Sequence, residues 1–551
     1  MARRVWRAAA AVVLGGMLGG CAALEGIYLP VDNAALQGPP PAAPDTRCDA
    51  PAGPDAPPPP YTLMALKDCT SPNSLIVFAF SGGGTRSAAF GYGVLGAAHA
   101  VTIPDGKGGH PLDSDIDIVS GVSGGSFTAA AYASKRGALF PAPGAPDYYR
   151  DRFLTHDFMA DLFAIYLEPW HWQWMFPGYG TNDEMAKLYA QVDFSSPSDK
   201  LFDRTFGDLA KKGRPLLVVQ ATDYGNEQPF TFTQSDFDLI CSDVDSYPVA
   251  NAIAASSAFP VLFSPIQLTN HHFGASGGFC AGHRPKWIDH VLSRPEPVDL
   301  SRLYERARVA EGYMRPRTGA GGAAVSLPRH VFLQDGGVAD NVALRGLTNI
   351  VIQHFGTQDS GEGAWSEAER SAACRVGLGQ VRRVLIVAVD GEAQPDNQVS
   401  SLPYLSDVGL ILSVSTSAAI DANGLETMFA TDALTKSIAL RLKGLTCDGA
   451  AGEHDVASYF TRVSFRDLDE ATVLDAAACG RSVGASCTLG DVARSGTSLD
   501  FSGGEVDALI RAGRSAFLCN RKIGQFLKDA DAAVGARADL ACEHAAPPAG
   551  G

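Results

Sequence analysis

Three short stretches of the sequence carry the residue types that acyl transfer needs. Gly121-Val122-Ser123-Gly124-Gly125 places a hydroxyl at the centre of a G-x-S-x-G turn. A serine at the tip of a sharp strand-to-helix bend stands clear of the sheet and can act as a nucleophile. Upstream, Gly82-Gly83-Gly84 opens a helical stretch, and a glycine turn at a helix start aims backbone N–H groups at an anion. Such donors suit the oxyanion that forms when a carbonyl is attacked. Downstream, Asp335-Gly336-Gly337 ends an apolar strand. A carboxylate there could take the serine's proton if burial raised its pKa.

The G-x-S-x-G pattern also surrounds Ser276 and Ser482, in a chain with 59 glycines. Only Ser123 has both a strand before it and a helix after it. Ser276 lies in a loop rich in His and Gly, and Ser482 lies between two cysteines. Histidine is the common base for a serine nucleophile, and the chain has 12. None follows a strand in a small polar loop: His330 opens a strand, and His271 and His272 sit in a loop. A carboxylate base remains, with Asp335 as the candidate and Asp448, in Cys447-Asp448-Gly449-Ala450, as its rival without a preceding strand. On spacing alone, Asp335 also fits an ordinary Asp-Gly turn.

The elements around these turns indicate an α/β chain. Leu75–Phe80 is a continuous apolar run, as expected of a strand buried on both faces. Thr85–Ala100 reads as a helix of small residues and Asp117–Ser120 as the next strand. This βαβ unit predicts parallel strands joined by a right-handed crossover. Both glycine turns then fall on the edge where open α/β sheets bind ligands. Phe127–Ser134 and Val249–Pro260 read as further small-residue helices, the second stopped by proline. Leu216–Thr222, Phe230–Thr233, His330–Gln334, Val384–Val389 and Tyr459–Phe465 read as strands. Residues 406–442 are helical in pattern, and Glu505–Leu527 predicts one amphipathic terminal helix. The Gly/Ala-rich stretch 312–326 predicts a mobile insertion. Residues 151–180 crowd Phe153, Phe158, Phe163, Tyr166, Trp170, Trp172, Trp174, Phe176 and Tyr179 together. These aromatics serve either as core or as a cap that meets lipid.

The 551 residues are 46% hydrophobic, enough for a large core, and carry a net charge of −16. That charge argues against a nucleic-acid partner and against docking on anionic lipid. Arg3, Arg4 and Arg7 precede a short apolar run that ends in Leu18-Gly19-Gly20-Cys21. The pattern resembles a bacterial lipobox, predicting a signal peptide over 1–20 and an acylated Cys21 that anchors the protein; a plain secretory signal is the alternative. Ala22 after the cysteine points to the outer membrane, facing the periplasm or the cell surface. Residues 21–70, rich in Pro and Ala, predict a tether, and residues 543–551 a disordered tail. Ten further cysteines in an exported chain suggest disulfides: Cys479–Cys487 first, then Cys48–Cys69, Cys241–Cys280 and Cys519–Cys542 by proximity. No C-x-x-C or H-E-x-x-H occurs, so neither a metal nor a cofactor is expected. Nothing in the sequence indicates a protein partner.

In order, Gly82-Gly83-Gly84-Thr85-Arg86, Gly121-Val122-Ser123-Gly124-Gly125 and Asp335-Gly336-Gly337 resemble the patatin-like phospholipase family. Ala254-Ala255-Ser256-Ser257-Ala258-Phe259-Pro260 resembles a further segment typical of it, and the resemblance spans residues 73–392. It implies a three-layer α/β/α sandwich with a mostly parallel central sheet, and a Ser–Asp dyad without a catalytic histidine. Carried over, Ser123 is the nucleophile, Asp335 the base, and Gly82, Gly83 and Gly84 the oxyanion hole. Gly121, Gly125, Gly336 and Gly337 support the turns, and Arg86 fixes the glycine loop or contacts a phosphate. Ser87 departs from the family's G-G-G-x-[RK]-G pattern, which ends in glycine. The implied domains are a catalytic one over 71–395 and a helical C-terminal extension over 396–542, packed on the core. The implied activity is that of a membrane-anchored serine lipid acyl hydrolase, calcium-independent, acting on (lyso)phospholipids or related lipids. A lipid-binding lipoprotein with a decayed site and a histidine-dependent α/β-hydrolase are the other readings.

Overall fold

The computed structural model describes residues 31–39, 59–66, 73–105, 108–167, 180–260, 263–275, 278–293, 302–318, 324–355, 367–392, 408–447, 455–469, 471–474, 487–494 and 501–534. Its centre is an eight-stranded sheet. In chain order the strands are β1 (Ser74–Phe80), β2 (Ile116–Val122), β3 (Leu216–Asp223), β4 (Gln228–Thr231), β5 (Ile266–Thr269), β6 (His330–Gln334), β7 (Arg383–Asp390) and β8 (Ala457–Ser464). Across the sheet the order is β5-β6-β3-β2-β1-β7-β8, with β4 paired to β3. The run from β3 to β8 is parallel. Every residue of β1, β2 and β3 is buried, which is why these strands read as unbroken apolar runs. The edge strand β8 alternates between partly exposed and buried residues from Ser458 to Val463 instead.

The helices that matter for the site are α1 (Gly84–His99), α2 (Gly124–Lys135), α3 (Phe158–Leu167), α4 (Thr181–Gln191), α5 (Val249–Ser256), α6 (Arg302–Met314), α7 (Arg345–Phe355), α8 (Val408–Lys443), α9 (Gly503–Cys519) and α10 (Arg521–Asp529). Helix α1 is buried almost throughout, which explains its small residues. At its crossing with α9, a Cβ on Gly93 would lie 2.0 Å from the Ile510 carbonyl oxygen. Beneath the sheet's other end, Arg214 pairs with Asp117, and both are almost fully buried. The second carboxylate oxygen of Asp117 accepts the Ile76 N–H at 2.8 Å, so the pair also ties β1 to β2.

Several expectations are revised. Strand β6 runs antiparallel to both neighbours, and only Val331 and Leu333 of it are buried while Phe332 is exposed. It is a half-covered strand rather than a buried one. The expected terminal helix is two helices, because the Asn520 side chain accepts the N–H groups of Lys522 and Ile523 and starts α10. Helix α5 ends at Ser256, before the proline. The described parts of 312–326 form the end of α6 and a pairing of Arg317–Thr318 with Ala324–Val325. Two pieces of the expected tether pack on the body: Ala34–Ala35 pairs with Ser242–Asp243, and Tyr61, Leu63 and Leu66 are core residues. The C-terminal region extends the central sheet itself, through β8. Of the aromatics in 151–180, Phe153 and Phe158 are core, while Phe163 is exposed; Trp170, Trp172, Trp174, Phe176 and Tyr179 lie outside the described residues.

Cys241 and Cys280 form a disulfide, as proximity suggested, and Cys374 pairs with Cys447, which proximity did not suggest. Cys487 and Cys519 are also disulfide-bonded. Their expected partners Cys479 and Cys542 lie outside the described residues, as do Cys21, Cys48, Cys69 and the tail 543–551. Among the described residues, no helix is long and apolar enough to cross a membrane.

Candidate active site

The register of the sheet brings Ser123 and Asp335 together. Val122 of β2 pairs with Gln220 of β3, and Gln334 of β6 pairs with Thr222 of the same strand. The next residue on each side, Ser123 or Asp335, therefore falls level with Ala221, one on either flank of β3. The Ser123 hydroxyl donates to Asp335 Oδ2 at 2.9 Å, and both residues are buried. Ser123 sits between β2 and α2 with φ 48° and ψ −123°. That conformation is strained for a residue with a Cβ, and it turns the side chain off the sheet edge.

Asp335 is held at both its backbone and its carboxylate. Its N–H donates to the Ala258 carbonyl at 3.0 Å, and the Thr222 hydroxyl donates to its carbonyl at 2.8 Å. Oδ1 accepts the Gly337 N–H at 2.7 Å, which leaves Oδ2 facing the serine. Burial pushes the carboxyl up to about 6, against the opposing pull of the Gly337 and Ser123 hydrogen bonds. No histidine joins the pair among the described contacts: His330 meets Gln267, His271 the Asn33 carbonyl and His272 the Cys280 carbonyl.

The glycine loop lies against the serine. A Cβ on Gly82 would be 3.4 Å from the Ser123 Cβ, and one on Gly124 would strike the Gly84 carbonyl oxygen at 2.1 Å. The two turns thus touch backbone to backbone. The Gly82 N–H is already given to the Asn341 carbonyl at 2.9 Å. Gly83 and Gly84 take φ of 131° and 62°, and Gly84 begins α1, where the first N–H groups have no partner inside the helix. Gly121 and Gly125 let β2 and α2 crowd against each other and against the Phe80 carbonyl, while Gly336 and Gly337 let the aspartate turn pass Gln220 and Asn341.

Arg86 lies fully buried beneath the loop. Its Nε donates to the Gly391 carbonyl at 3.0 Å. Burial lowers the guanidinium to about 10, with Glu392 and Asp390 pulling it back up. These contacts place Arg86 against the loop: its guanidinium would lie 3.1 Å from a Cβ on Gly83. Ser87, where a glycine was expected, gives its hydroxyl to the Ser81 carbonyl at 2.6 Å. The close approach is supplied from the opposite side: a Cβ on Gly391 would lie 2.7 Å from Ser87 Cα.

Three residues at the site have no counterpart among the sequence candidates. Ser256 accepts the Ser123 N–H, Asn341 anchors Gly82, and Glu392 accepts from the Asn341 side chain. Ser256 was visible only as part of the Ala254–Pro260 stretch. Ser276, Ser482, Asp448 and Cys21 lie outside the described residues.

Residues 78–300 match the family model for patatin-like phospholipase. This stretch of the chain is therefore a patatin-like phospholipase domain. The matched stretch holds the Gly82–Gly84 loop and Ser123 and stops short of Asp335. No curated protein matches the sequence. Among solved structures, human GIVD cytosolic phospholipase A2 aligns at 11% identity and TM-score 0.37, over 85% of this chain and 62% of its own length. Its complex with methyl gamma-linolenyl fluorophosphonate aligns at 11% identity and TM-score 0.33, over 84% and 59%. The chain therefore spans less than two thirds of those proteins.

Proposed function

We propose that the protein is a membrane-anchored serine lipid acyl hydrolase that cleaves carboxylic esters of (lyso)phospholipids or related lipids through Ser123 and Asp335. The observation that carries this reading is the 2.9 Å hydrogen bond from the Ser123 hydroxyl to Asp335 Oδ2 at a strained elbow. Ser123 Oγ attacks the ester carbonyl as Asp335 takes its proton. Gly83 and Gly84 N–H groups, at the positive end of α1, receive the oxyanion. The proton then passes to the departing alkoxide, and the same carboxylate activates the water that releases the fatty acid. The exposed apolar side chains of Val338 and Phe259, beside the aspartate turn and its Ala258 anchor, suit an acyl chain.

An acylated Cys21 would hold the domain at the outer membrane. Replacing Cys21 with Ser should move the protein from the membrane to the soluble fraction. The activity is tested by fatty-acid release from phospholipid vesicles and from a short soluble ester, with wild type and Ser123→Ala in parallel. Serine-dependent release from vesicles is expected. Release from neither substrate would favour a lipid-binding role over hydrolysis.

A further inference from the structure

We propose that Ser256 is a positioning residue that holds the nucleophile and the base in one register; this rests on the dyad reading above. Ser123 and Asp335 come from distant parts of the chain, and the end of α5 touches both. The Ser256 hydroxyl accepts the Ser123 N–H at 2.8 Å. It donates its own proton to the Gln220 carbonyl at 2.6 Å. With that proton committed to β3, a lone pair of the oxygen faces the serine. The Ser256 carbonyl accepts the Gly336 N–H at 3.1 Å, and two residues on, the Ala258 carbonyl accepts the Asp335 N–H. Segment 256–258 therefore clamps the backbone on both sides of the 2.9 Å Ser–Asp contact.

The geometry also says why a hydroxyl is needed there. Ser123 holds a backbone conformation (φ 48°) that is strained for a residue with a side chain and persists only when its surroundings fix it. Ser256 is fully buried, so no solvent replaces its oxygen when it is removed. In Ser256→Ala the Ser123 N–H loses its acceptor and the Gln220 carbonyl loses a donor. The elbow can then relax and carry Oγ away from Asp335.

The test uses the full-length protein with the wild-type, Ser123→Ala, Ser256→Ala and Ser256→Thr sequences. Two quantities are read: steady-state ester hydrolysis, and the rate at which a fluorophosphonate probe labels Ser123, with thermal melting alongside. Ser256→Ala should lower kcat by on the order of tenfold to a hundredfold, with KM little changed and labelling slowed by a similar factor. Ser256→Thr, which restores the hydroxyl, should recover most of the labelling rate. Wild-type labelling in Ser256→Ala overturns the proposal. So does an equal slowing in both variants that tracks a fall in melting temperature, since that marks a packing role. Failure of the wild type itself to label at Ser123 brings down the dyad reading, and the wild-type arm keeps that result separate.

Discussion

Asp335 should make the protein less stable at the pH where it works best. Burial raises its carboxyl from 3.8 to about 6, so the folded protein binds the proton more tightly than the unfolded chain does. Between those two values the native state holds more protons, and stability falls as pH rises through the window. At about 1.4 kcal/mol per pH unit, the ionised aspartate costs about 3 kcal/mol once pH exceeds 6. Asp335→Asn removes the ionisation and keeps the shape. Its side-chain oxygen can still accept the Gly337 N–H, and its amide can donate to Ser123. The variant should therefore be more stable than wild type by up to about 3 kcal/mol at pH 8, with the gain vanishing near pH 4. Urea unfolding of both proteins across this range measures the difference. Hydrolysis by wild type should rise through pH 6 and level off above it, while Asp335→Asn should stay near background. A stability difference that does not change with pH, or a flat wild-type activity profile from pH 4.5 to 8, would refute the assignment of a buried, titrating base.

Other perturbations probe the frame around the pair. Ser123→Gly should abolish hydrolysis and leave the melting temperature equal or higher, because glycine accepts φ 48° without strain; a clear fall would show that the elbow is not strained. Gly124→Ala puts a Cβ 2.1 Å from the Gly84 carbonyl oxygen, so initial rates should drop by on the order of a hundredfold as the two turns separate. Retention of wild-type rates would mean that the turns need not touch. Arg214→Ala removes the buried guanidinium that Asp117 meets and should cost about 3–5 kcal/mol in urea unfolding. A loss under about 1 kcal/mol would mean that the carboxylate finds water or another donor.

The parts of this fold that show in the sequence are those governed by short-range rules. Strands β1, β2, β3 and β7 are covered on both faces, and that coverage writes itself as LIVFAF, IDIV, LLVVQAT and VLIVAV. The half-covered strand β6 gives only HVFLQ, whose direction in the sheet no local pattern records. Its antiparallel course is nevertheless what carries Asp335 to the level of Ala221 and so to Ser123. Packing of the distant ends was equally hidden. Tyr61 follows four prolines in sequence, yet its ring is core and its hydroxyl accepts the Leu217 N–H at 3.0 Å. The break at Asn520 leaves no mark in the apolar spacing, which continues across it; only a side-chain cap sets the boundary.

Ser87 shows how a motif can lose a letter and keep its geometry. Glycine at that position would let α1 press against the neighbouring strand end. Here the contact is made the other way round, with Gly391 at the end of β7 giving up its side chain so that Ser87 can keep one. The serine hydroxyl then bonds to the Ser81 carbonyl, and the Ser81 hydroxyl accepts the Gly391 N–H at 3.0 Å. The same Gly391 offers its carbonyl to Arg86. One turn after β7 thus holds the underside of the glycine loop, as segment 256–258 holds Ser123 and Asp335 from the other flank. What the motif specifies is a distance between two backbones, and either backbone can supply the missing side chain. The glycine loop can therefore be intact in the structure where the sequence pattern alone is broken.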